Sequence, residues 1–190
     1  MSTDEPHRVT GLHFGESYTL TEIRAADGYA LADNITFRLI QKTDEGGNPL
    51  EECEVYYLTT KNILFWKWDD WRLLDDATVI MRDDITKVQI SKKDLTTKEE
   101  LPGAELTLTD EKGNEIDRWV STDAPHYMER LPAGKYTLTE VTAPDGYAIA
   151  ERMEFEVLPN GEVQTFEIFD DTIKVKENNT GGSGYFSDGL

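Results

Sequence analysis

Tyr136-Thr137-Leu138-Thr139-Glu140 reads as a strand that breaks its own pattern. Alternation puts Tyr136, Leu138 and Glu140 on one face and Thr137 and Thr139 on the other. The face that its apolar residues mark as inward therefore ends on a carboxylate. A lone charge in an apolar interior is costly, so Glu140 must be neutral, partnered or chemically employed. The same five residues occur at Tyr18 to Glu22. Asp-Gly-Tyr-Ala follows in both places, as Asp27 to Ala30 and as Asp145 to Ala148.

The repeat extends beyond this strand. Ser2-Thr3-Asp4-Glu5-Pro6-His7 returns as Ser121-Thr122-Asp123-Ala124-Pro125-His126, and Leu12 and Gly15 return as Leu131 and Gly134. An internal repeat has to be settled before any fold is assigned. Met1 falls where Val120 stands in the second copy, so the chain reads as a fragment that begins inside a module whose first strands are absent. The copies also differ in length, with Glu22 to Asp83 about twice as long as Glu140 to Asp170. The extra residues include Glu54-Val55-Tyr56-Tyr57-Leu58 and Ile63-Leu64-Phe65-Trp66-Lys67-Trp68. These β-branched and aromatic runs predict an inserted hairpin. Beyond it, Val79, Met81 and Asp83 alternate as a closing strand would.

In the second copy Thr86, Val88, Ile90 and Lys92 share one strand face. Asp110-Glu111-Lys112-Gly113-Asn114 separates two short strands as a hairpin turn. A strand from Met153 to Leu158 follows, and the last strand alternates Phe166, Ile168 and Asp170. Short strands at this spacing, with no convincing helix, predict an all-β protein of tandem sandwiches. The expected division is an incomplete module over 1–84, a complete one over 85–174 and a flexible tail or the start of a next repeat over 175–190, with a stiff junction near residue 85. After Asp171 the junction pattern returns as Thr172-Ile173-Lys174-Val175-Lys176, but Asn179 stands where Lys92 stood. Without its first strands the first module should expose a sheet edge and be marginally stable.

Composition excludes several functions. Against 38 acidic residues stand 19 basic ones, a net charge of −19, so nucleic-acid phosphates would be repelled. The single cysteine, Cys53, cannot form an intramolecular disulfide and reads as a buried free thiol. His7, His13 and His126 have no second ligand at metal spacing, so neither a metal nor another cofactor is expected. No apolar run reaches the roughly 18 residues of a membrane span, and the N-terminus lacks the layout of a signal peptide. No Ser/His/Asp set or phosphate loop suggests a turnover enzyme. Trp66, Trp68 and Trp71 can stack on sugars if exposed; otherwise they form the apolar side of the hairpin.

Three residues of the second copy break the apolar face of their own strand, each after two inward apolar residues. Lys92 follows Val88 and Ile90, Glu140 follows Tyr136 and Leu138, and Asp170 follows Phe166 and Ile168. One such break can mark a strand emerging into water; three of complementary charge suggest a buried triad. Lys93 and Asp171 are the neighbours in register but lie on the opposite faces.

The segments Ile90-Ser91-Lys92-Lys93-Asp94, Leu101-Pro102-Gly103-Ala104, Tyr136 to Glu140 and Ala143-Pro144-Asp145-Gly146-Tyr147, in that order, resemble the CnaB-type or SpaA-type repeats. Those are prealbumin-like modules of Gram-positive pilins and surface adhesins. The resemblance covers residues 85–175 fully and residues 2–84 as the latter part of a module. It implies an intramolecular isopeptide bond between Lys92 and Asp170, promoted by Glu140. Glu22 and Asp83 are the first-copy equivalents, without a lysine. It also implies a structural stalk or spacer on the wall of a Gram-positive cell, with neighbouring repeats as partners. A salt-bridge cluster that never condenses is the plainer alternative for the triad. The competing function is an adhesin module whose tryptophan-rich insertion contacts host glycan or matrix protein.

Overall fold

The computed structural model describes residues 6–63 and 66–173. Within them the chain is all β, with eleven strands in three sheets. The strands form two compact units. One takes Met1–Val88, Met128–Ala133 and Val157–Val163; the other takes Gln89–Tyr127, Gly134–Glu156 and Gln164–Leu190.

The first unit holds a four-stranded antiparallel meander: β1 (Ser17–Leu20), β2 (Ile35–Thr43), β3 (Pro49–Ile63) and β4 (Trp66–Leu73), in that spatial order. The aromatic runs do form a hairpin, with Tyr56 opposite Leu73 and Leu58 opposite Trp71. β2 and β3 are joined by a turn in which Asp44 Oδ1 accepts the backbone N–H groups of Gly46 (2.9 Å) and Asn48 (2.8 Å). Side-chain-to-backbone bonds of this kind are what make Asp a turn residue. Asp110 closes its hairpin the same way, accepting from Lys112 (2.9 Å) and Asn114 (2.8 Å).

Two sheets carry the second copy. The first has the order β10-β9-β6-β7, made of β6 (Glu105–Asp110), β7 (Glu115–Val120), β9 (Gly134–Thr142) and β10 (Met153–Val157). The second has the order β11-β5-β8, made of β5 (Lys87–Asp94), β8 (His126–Glu129) and β11 (Val163–Asp170). Inward residues alternate as the sequence predicts. Val88, Ile90, Leu106, Leu108, Tyr136, Leu138, Phe155, Val157 and Ile168 are all buried. Phe155 of one sheet meets Phe166 of the other with ring centroids 4.1 Å apart. β8 was not foreseen.

One expectation for the first copy fails. Residues 77–84 form no strand, although Val79 and Met81 are half-buried, and Asp83 is exposed. A strand needs a ladder partner for its backbone N–H and C=O groups. In the second copy that partner is β5, lying beside β11. Among the described residues no strand lies beside 77–84 in this way, and the segment stays irregular.

Candidate functional site

β5, β9 and β11 each deliver one polar side chain to the interior of the second copy. Lys92, Glu140 and Asp170 are 2 %, 4 % and 1 % exposed, as deeply buried as the aliphatic core. The strand pattern places them there, because each continues an inward series whose other members are apolar. Lys92 Nζ donates to Asp170 Oδ1 and lies 3.3 Å from Glu140 Oε1. Glu140 Oε2 accepts the backbone N–H of Ala150 at 2.6 Å. The three residues that the sequence singles out are thus brought into one contact group.

Two oxygens of this group receive no hydrogen bond: Glu140 Oε1, which has only its ion-pair contact with Lys92, and Asp170 Oδ2. Buried acceptors are seldom left so. A proton held by one of the two carboxyls would supply a donor within the group. Burial pushes the Glu140 carboxyl above its ordinary range, and the Asp170 carboxyl adds to the rise; the Ala150 N–H and the Lys92 charge oppose it. The group therefore combines an amine, a carboxyl in contact with it and a second carboxyl biased toward holding a proton. Lys92 also lines a cavity of about 100 Å³ with Ile90, Trp119, Ser121 and His126. That exceeds the roughly 30 Å³ share of one water in the liquid.

The register alternatives face elsewhere. Lys93 Nζ donates to Glu167 on the outer side of the β5–β11 pair, and that bond raises its pKa. Asp171 is exposed and its Oδ1 accepts the Thr172 N–H at 2.9 Å.

The first copy keeps part of this arrangement. Glu22 Oε2 accepts the Ala32 N–H at 2.9 Å, as Glu140 does that of Ala150. Desolvation, then the charge of Glu22, pushes the Asp83 carboxyl up. Among the described residues no lysine or arginine pairs with either carboxyl.

The tryptophans separate. Trp71 is half-buried and covered by the Arg38 guanidinium, 4.2 Å from the ring centroid. Trp68 is 42 % exposed. The Trp66 side chain, Asn179 and the 175–190 tail lie outside the described residues. Among those residues no group of three His, Cys, Asp or Glu could hold a metal ion, and no helix is long and apolar enough to cross a membrane.

This architecture, with its charged trio inside an all-β sandwich, defines a prealbumin-like module. The chain belongs to the SpaA prealbumin-like fold domain family, whose sequence pattern matches residues 86–181, about half of the chain. Among solved structures it is similar to the Bacillus anthracis TIE protein, at 24% identity over 74% of this chain and 29% of that one, TM-score 0.42. It is similar also to the shaft pilin SpaA from Lactobacillus rhamnosus GG, at 16% identity over 71% and 70%, TM-score 0.40. A third is GBS52, the minor pilin in the Gram-positive pathogen Streptococcus agalactiae, at 17% identity over 75% and 62%, TM-score 0.41. The chain spans under a third of the TIE protein's length. No curated protein matches the sequence.

Proposed function

We propose that this chain is a structural stalk or spacer module of a Gram-positive surface protein, held by a self-formed Lys92–Asp170 isopeptide bond. The observation that carries the reading is the full burial of an amine against two carboxyls, two of whose oxygens lack a hydrogen-bond donor. In the reaction, the Lys92 ammonium passes a proton to the Asp170 carboxylate it contacts, and the freed amine Nζ attacks Cγ of the resulting carboxylic acid. Glu140 takes a proton from the amine and returns one to the departing hydroxyl, a general acid–base role. One C–N bond forms, one C–O bond breaks and one water leaves. Apposition of β5 and β11 supplies the effective concentration that free amine and acid lack. The reaction runs once per molecule and involves no turnover.

The benefit is mechanical and thermodynamic. Lys92 and Asp170 are 78 positions apart. By the chain-entropy estimate used for disulfides, closing such a loop contributes about 4–5 kcal/mol. The bond also joins the first and last strands of the module, so tension between its ends passes through a covalent link. Cell-wall location and association with neighbouring repeats belong to the same proposal. The ligand-contact reading keeps one observation, the exposed Trp68; loss of glycan or matrix-protein binding in Trp68→Ala would support it.

Intact mass under denaturing conditions tests the stalk chemistry. The wild type should be lighter than its calculated mass by one water, with Lys92→Ala and Glu140→Ala at full mass. A wild type at full mass refutes the cross-link.

A further inference from the structure

The Asp145–Ala150 loop reaches β9, β5 and the residue that follows β11 through four different groups. The Ala150 N–H donates to Glu140 Oε2 on β9 at 2.6 Å. The Ala148 N–H donates to the Asp171 carbonyl, next to Asp170 on β11, at 3.0 Å, and Ile173 N–H returns to the Gly146 carbonyl at 2.9 Å. The Tyr147 hydroxyl donates to Asp94 Oδ2 at 2.7 Å, two residues beyond Lys92 on the same face of β5. Asp94 is itself fixed, since its Oδ1 accepts the Thr96 and Thr97 N–H groups at 2.7 Å each. Beside it the Leu95 N–H donates to the Asp170 carbonyl at 2.8 Å.

The loop's own shape is set locally. Tyr147 N–H donates to the Pro144 carbonyl at 3.1 Å, closing a turn with Gly146 at φ 87° in its third position. That conformation requires glycine in practice. The Thr97 N–H and the Tyr147 hydroxyl, the first the stronger, hold the Asp94 carboxyl below its ordinary range, so it is an ionised acceptor at neutral pH.

From this geometry we infer that Tyr147 and Asp94 are positioning residues for the condensation. Together with the Ala148 and Ala150 amides they form a clamp that sets the depth of β5 against β9 and β11, and so the approach of Lys92 to Asp170. The inference rests on the condensation proposed above. Neither residue touches the reacting atoms. Small displacements of reacting groups cost up to about 100-fold in rate. Loss of the hydroxyl should therefore slow bond formation about 10- to 100-fold while leaving the same final product.

The test follows water loss in the full chain after cell-free synthesis, quenched in acid denaturant at intervals and read by intact mass. Tyr147→Phe and Asp94→Asn should each be slow, and the double variant no slower than the slower single one, because both remove one hydrogen bond. The pH profile of the rate should keep its midpoint while its plateau drops, since proton transfer stays with Glu140. Folded fraction is measured separately for Tyr147→Phe in a Glu140→Gln background, where no bond forms; it should match that of Glu140→Gln alone. A Tyr147→Phe rate equal to wild type overturns the clamp, as does a rate loss matched by a loss of folded fraction. A wild type that never loses water overturns the condensation itself, and the clamp's role with it.

Discussion

The two copies of Tyr-Thr-Leu-Thr-Glu meet different fates. In the second, β9 runs on through Glu140 to Thr142, with Leu106 opposite Glu140 and Glu105 opposite Thr142. In the first, β1 stops at Leu20, and Glu22 lies beyond it. The strand sequences match; the neighbours do not. β9 is flanked by β6 and β10, whereas among the described residues β1 is an edge strand paired with β2. Yet the first copy repeats the aromatic pair, Tyr18–Phe37 at 5.8 Å against Tyr136–Phe155 at 6.0 Å. It repeats most of the loop clamp as well: Ala30 N–H donates to the Asp84 carbonyl at 2.8 Å and Tyr29 bridges Ile85, as Ala148 meets Asp171 and Tyr147 bridges Thr172. The tyrosine hydroxyl is the difference. Tyr29 accepts from Arg130, whose guanidinium lies 4.8 Å over the ring. Local sequence thus reproduces local geometry, while strand extent and charged partners depend on what lies alongside.

The comparison can be broken most sharply at the two glutamates. Glu140→Ala should abolish the water loss and remove about 4–5 kcal/mol of stability, a fall of about 20–30 °C in the melting of the second copy. Glu22→Ala should leave both the water loss and that transition unchanged. Equal effects of the two substitutions in calorimetry and mass spectrometry would erase the distinction.

The aromatic pair gives the next largest contrast. Phe155 is 9 % exposed, and Phe155→Ala should cost about 3–5 kcal/mol. Phe37 is half-buried, and Phe37→Ala should cost about 1–2 kcal/mol in denaturant titration.

The charged trio predicts a pH dependence once the bond is prevented. In Lys92→Met the raised Glu140 pKa remains, with its opposing cation removed. A folded-state pKa above the unfolded one stabilises below the unfolded value and loses that contribution as pH rises. Stability should therefore be greatest below about pH 4.5 and decline through the neutral range, by at most about 1.4 kcal/mol per pH unit for this group. Urea midpoints that rise with pH over this range would contradict the assignment.

The smallest effect is expected at Tyr29. Tyr29→Phe removes a hydroxyl whose partner is an exposed arginine, and should change stability by under about 0.5 kcal/mol. It should leave the rate of water loss untouched, unlike Tyr147→Phe.

Much of this was legible in the sequence. Lys92, Glu140 and Asp170 stood out because a period-two pattern makes a charge on the inward face an anomaly. The Asp110–Asn114 turn separates β6 from β7 as its residue types suggest, because Asp110 bonds its own turn locally. β8 escaped notice because its four residues follow Pro125 and carry too short an alternation. The closing strand of the first copy was read but does not form, since pairing is a property of two segments and one sequence shows only its half. Tyr147 was invisible as a functional residue because its partner, Asp94, is 53 positions away. The signal that could have found it is the repetition of Asp-Gly-Tyr-Ala after each glutamate.

The burial of the trio has a consequence for anyone handling the protein. Its three members come from strands far apart in the chain and meet only when those strands are paired, so condensation amounts to a once-written record of having folded. Under the proposed chemistry, a preparation denatured to homogeneity still carries its history. The light fraction counts molecules that reached the native arrangement at least once, and the heavy fraction counts those that never did. Folding yield then becomes a quantity that can be weighed after the fold is gone.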